Sequence, residues 1–104
     1  MVKINNINKI IQKSLAIISD DYTEMWLVIT IIQEENPELS FVELIEATKR
    51  IVQELVEKNN VLILNEDTQE PMNLNINEIL QLIEDRFKIL GRIPNIGDGV
   101  WFTV

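Results

Sequence analysis

The 104-residue chain has no cysteine and no histidine, and only three glycines, three prolines and six aromatic residues. Without cysteine there are no disulfides and no thiolate zinc sites, and an intracellular, cytoplasmic setting is compatible. Without histidine the chain lacks the commonest metal ligand and the commonest general base near neutral pH. The glycines are Gly91, Gly97 and Gly99, so no glycine-rich phosphate loop precedes residue 91. The longest apolar run, from Met25 to Ile32 with Thr30 inside it, falls far short of the ~20 residues a membrane span needs. After Lys3 the isoleucines are interleaved with Asn, Gln and Lys, which is not the pattern of a secretory signal.

What is abundant is negative charge. The net charge is −8, and it is unevenly placed. Residues 1–19 carry Lys3, Lys9 and Lys13 and no acid, whereas the rest of the chain carries 17 acids against six bases. An acidic surface repels phosphate and favours a basic partner or plain solubility.

Hydrophobic spacing divides 104 residues into the parts of one domain, 1–104, large enough to bury a core unaided. Ile4, Ile7, Ile11, Leu15 and Ile18 form a helical stripe, so residues 4–19 are expected to be a basic amphipathic helix docked on the core. Asp20-Asp21 carries the charge favoured at a helix N-terminus, which predicts a second helix over 21–35 despite its β-branched middle. Asn36-Pro37 breaks it. Ser40 and Glu43 form a capping box, apolar residues recur at Leu44, Ala47, Ile51 and Leu55, and Asn59-Asn60 ends a third helix over 41–59. Val61 to Leu64 has strand composition. Beyond a polar loop at 65–71, Asn75 or Asn77 caps a helix over 76–90, Glu78 being placed for a capping box with Asn75, and Gly91 is its left-handed stop. Gly97-Asp98-Gly99 leads into a second strand, 100–104, expected to pair antiparallel with 61–64. The expected core includes Trp26, Ile29, Leu44, Ile51, Leu55, Leu62, Ile79, Ile83, Phe87 and Trp101.

A capped helix passing through an Asn turn into a short strand resembles the second half of a winged helix-turn-helix domain. More narrowly, Met25-Trp26, the stretch Ser40 to Leu64, the helix start after Pro71 and the ending VWFTV are similar to small bacterial winged-helix-like proteins of the toxin-immunity type. These features span about four-fifths of the chain and leave out the basic first helix. The resemblance implies an α+β, mostly α fold: three N-terminal helices and a two-stranded antiparallel hairpin with an inserted helix. It also implies an immunity protein, as in contact-dependent growth inhibition, which neutralises a cognate bacterial toxin domain.

The residues themselves offer no reactive constellation. Carboxylates adjacent in sequence, as at Glu34-Glu35 and Glu84-Asp85, point to different sides of a helix and do not converge on one bond. The serines have no histidine, and the loop acids at 66, 67 and 70 lack the alternation of a dedicated calcium loop. No enzyme activity, cofactor or metal site is expected. On the third helix the outward row is Glu43, Glu46, Arg50, Gln53 and Glu57, three acids against one base. Phosphate contacts need Lys and Arg, so no nucleic-acid partner is expected, and no membrane partner either. The expected partner is a basic toxin domain, with a nuclease fitting the charge. The expected contacts are Glu43, Glu46 and Glu57 on that helix and Glu66, Asp67 and Glu70 on the loop. The competing reading is a winged-helix transcriptional regulator or another protein-protein interaction module. A monomer with its first helix docked is favoured, and a homodimer through that helix is the other possibility.

Overall fold

Ser40 starts the longest helix as its side chain predicts. Its hydroxyl accepts from the Glu43 amide at 3.2 Å, and the Glu43 carboxylate accepts from the Ser40 amide at 3.0 Å. Asn75 and Glu78 make the same reciprocal pair at 2.9 and 3.1 Å. The two helices end on left-handed residues, Asn60 (φ 56°) and Gly91 (φ 65°). These four local signals place α3 (Phe41–Asn59) and α4 (Ile76–Leu90) where they are expected. The computed structural model describes residues 3–104; Met1 and Val2 of the expected 1–104 domain lie outside the described residues. The other elements are α1 (Ile7–Asp20), β1 (Thr23–Glu24), α2 (Met25–Glu35), β2 (Leu62–Leu64) and β3 (Trp101–Thr103). The protein is thus α+β and mostly helical, with a three-stranded antiparallel sheet in the order β1-β3-β2.

The β2–β3 pairing is the expected one, with Ile63 across from Phe102 and Leu64 across from Trp101. The third strand is a correction to the expected two-stranded hairpin. Residues 21–24 do not belong to α2: Thr23 and Glu24 pair with Phe102 and Trp101. Nor do Asp20 and Asp21 cap α2. Asp20 ends α1, the Asp21 amide returns to the Ile17 carbonyl, and the Asp21 carboxylate accepts from the Tyr22 amide at 2.7 Å. β-branched Thr23 is buried, which an extended backbone allows by turning alternate side chains inward. The apolar run after Met25 is helical, as its spacing predicts.

The first helix starts later than expected, at Ile7, after Asn6 in the left-handed conformation. Its deepest row is Ile10, Ser14 and Ile18; Ile7, Ile11 and Leu15 pack beside it. A small Ser14 at the centre lets α1 lie close to the core. The helix is also clamped. The buried Asn36 side chain accepts from the Asn5 amide at 2.7 Å and donates to the Asn5 carbonyl at 3.0 Å. Glu35 holds Lys9 and Lys13 at 3.4 and 3.2 Å and accepts from Asn6 at 3.0 Å.

Ile63 and Phe102 face the core, joined by Ile51, Leu55, Ile83 and Phe87. Leu62 and Trp101, expected inside, are not: Leu62 is about half exposed and Trp101 partly exposed. Trp26 too is only partly buried. Register explains the two strand residues, because turning Ile63 and Phe102 inward sends their neighbours to the other face. Gly99 (φ 122°) begins the approach to β3, and a Cβ there would stand 2.7 Å from the Met25 methyl. Among the described residues no helix is long and apolar enough to cross a membrane.

Candidate protein-interaction surface

The inward rows of α3 leave Glu43, Glu46, Arg50 and Glu57 exposed. They line an open depression of about 1020 Å³, bounded by Lys3 and Ile4 on one side and Leu80 of α4 on the other. Its charges are balanced. Glu43, Glu46, Glu54 and Glu57 are matched by Lys3, Lys49, Arg50 and Lys58. Lys49 reaches Glu46 at 3.6 Å and Glu84 of α4 at 2.9 Å, and Lys58 reaches Glu54 at 3.2 Å. The helix row alone is acidic; the flanking lysines make the surface around it neutral.

Several of the carboxylates have local work. The Ser40 amide and hydroxyl hold Glu43 below the usual carboxylate range. Glu84, between Lys49 and Lys88, is lowered from 4.5 to about 2, with the Lys49 hydrogen bond the largest cause. The same Glu84 contact raises Lys49. Exposed pairs of this kind add little to stability; of these contacts, Lys49–Glu84 is the one that ties α3 to α4.

The loop acids are organised differently. Backbone bonds from Asn65 to Glu70 and from Gln69 to Asn65, both 2.9 Å, close the turn. The Asn65 side chain accepts from the amides of Asp67 and Thr68 at 2.8 and 3.1 Å. Glu66 is ion-paired with Arg86 of α4, while Asp67 and Glu70 are exposed and outside the ion pairs.

The six expected contact residues therefore do not form one patch. Glu43, Glu46 and Glu57 line the α3 depression, and none of Glu66, Asp67 and Glu70 does. Glu84, which faces α3, and Arg86, which faces the loop, lie two residues apart and about 200° round α4. The two acidic groups are on opposite flanks of that helix. Sequence reasoning also missed the exposed apolar residues Tyr22, Leu62, Ile89 and Ile96. Only correct strand parity would have turned Tyr22 and Leu62 outward.

Across the whole set of described residues, no three acidic side chains gather in a way that could hold a metal ion. Comparison of the chain with family models, with curated proteins and with solved structures finds no match in any of the three.

Proposed function

We propose that the chain is a non-catalytic, winged-helix-type immunity protein, which acts in the cytoplasm by binding a basic toxin domain and covering its active surface. The order α1-β1-α2-α3-β2-β3 with sheet order β1-β3-β2 supports the winged-helix part, α4 being the helix inserted between the wing strands. The observation that carries the partner's chemistry is the distribution of free charge. Among the described residues, seven of nine basic side chains are in ion pairs, leaving Lys3 and Arg50. Six of seventeen carboxylates are so engaged, leaving eleven. A molecule with this excess of unpaired carboxylates attracts cations, and steering of this kind raises association rate more than affinity. Asp67 and Glu70 are the contacts best placed to act, because Glu43 is engaged in a helix cap, Glu46 and Glu66 are in ion pairs, and Glu57 lies on the other flank beside the neutral α3 depression.

The test is association of the chain with any toxin-like product encoded beside its gene, measured against ionic strength. Reversing Asp67 and Glu70 to Lys should slow association by about tenfold at low salt, with little change at high salt. An unchanged rate and salt dependence removes these carboxylates from the contact. A neighbouring product that neither binds nor is inhibited removes the immunity reading itself. The regulator reading is favoured by topology alone, since the α3 face lacks the cationic excess that phosphate contacts require.

A further inference from the structure

The outer face of the sheet has no part in the surface described so far. Thr23, Ile63 and Phe102 point into the core, so the residues alternating with them lie on the opposite face. Glu24, Trp101 and Leu64 form one row across the three strands. Continuing the register makes Tyr22, Thr103 and Leu62 the next row. The first row is closed: Leu64 is 1 % exposed, and the Gly97 amide donates to the Glu24 carboxylate at 2.8 Å, bringing the 95–98 turn over that end. The second row is open. Tyr22 is 49 % and Leu62 47 % exposed, and Ile96 on the turn is 71 % exposed.

We propose that Tyr22, Leu62 and Ile96 are the docking surface for a protein with an apolar centre and a basic rim. An aromatic side chain beside branched aliphatics is the composition of interface cores, from which charge is depleted. The rim sets the occupant's sign. Segments 20–24, 60–64 and 93–104 contain Asp20, Asp21, Glu24 and Asp98 and no lysine or arginine. The two bases beside the 95–99 turn are both neutralised: Arg92 is held by Asp98 at 2.7 Å, and Arg86, whose side chain lies against Gly99, is paired with Glu66. A second copy docked by a two-fold axis would bring these acids against their own equivalents, and like charges across an interface repel. An anionic membrane or a nucleic acid meets the same repulsion. A cationic protein surface satisfies both the apolar centre and the rim.

This inference rests on the chain being a protein-binding module; it does not require the partner to be a toxin or the α3 face to take part. The probe is a synthetic amphipathic Leu/Lys peptide, titrated into the isotope-labelled full chain and followed by amide chemical shifts. A Leu/Glu peptide of the same pattern is the comparison. Shifts should concentrate at Tyr22, Leu62, Ile96 and Thr103, and the Leu/Glu peptide should not bind. Leu62→Ser with Ile96→Ser, both at exposed positions, should weaken binding by about tenfold or more at an unchanged thermal midpoint. Shifts confined to α3, undiminished binding by the double variant, or equal binding of the Leu/Glu peptide would each overturn the proposal. So would self-association of the free chain that the same substitutions abolish, which would assign the face to a second copy. If a toxin-like product encoded beside the gene binds and leaves these amides unprotected, the docking surface is wrong and the immunity reading stands. If the Leu/Lys peptide binds here while no such product binds the chain, the docking surface stands and the immunity reading falls.

Discussion

Leu55 and Glu84 illustrate the two ways single residues contribute. Leu55 is fully buried on α3, in the core that Phe87 and Phe102 share. Leu55→Ala should lower stability by about 2–5 kcal/mol in denaturant unfolding, the range set by how far the cavity collapses. Glu84 acts through charge. Its folded pKa, about 2, is below its ordinary 4.5, so its contribution is complete above pH 4.5 and is lost as pH falls towards 2. Glu84→Gln should therefore lower the thermal midpoint at pH 7 and match the wild type near pH 2. A difference that persists unchanged at pH 2 would assign the loss to packing rather than to Lys49 and Lys88.

Among the elements, α1 depends most on a single side chain outside it. Its amide donors begin uncapped after Asn6, and its Ile-rich sequence has modest intrinsic helix propensity. Tertiary contacts hold it: the inward row at Ile10, Ser14 and Ile18, the Glu35 ion pairs, and the two bonds from Asn36 to the Asn5 backbone. Asn36→Ala leaves the Asn5 amide and carbonyl without those partners and should cost about 1–3 kcal/mol. Hydrogen exchange should quicken first at Ile10 and its neighbours, before the amides of α3 respond. Uniform quickening across α3 and α4 would mean that Asn36 supports the whole core and not the first helix alone.

At the scale of the molecule, electrostatics separates topology from use. The α3 depression is neutral and the free charge elsewhere is negative, so the molecule offers phosphate no cationic face. A fluorescence-polarisation titration with duplex DNA at low salt should show no binding at micromolar protein. Micromolar affinity with a steep salt slope would mean that Lys3 and Arg50 suffice to hold phosphate against the surrounding acids.

The helices were legible because their signals are local. Ser40 and Glu43, Asn75 and Glu78, Asn60 and Gly91 act within one turn of backbone, and the stripes of α3 and α4 have one consistent inward direction. The antiparallel pairing of 61–64 with 100–104 followed from their composition and the glycines between. The rest depended on which residues meet across the chain. Strand parity put Ile63 and Phe102 inside in place of Leu62 and Trp101, because two apolar neighbours in a strand cannot both face one core. Packing drew Thr23 and Glu24 into a third strand and turned α1 so that Ser14 faced inward. The expected contact carboxylates were identified by sign and position, yet their partners come from other elements: Lys49 neutralises the α3 flank, and Arg86 takes Glu66 to the far side of α4. Charge composition is written in the sequence, but which charges remain free, and which apolar face remains open, is decided only when the elements pack.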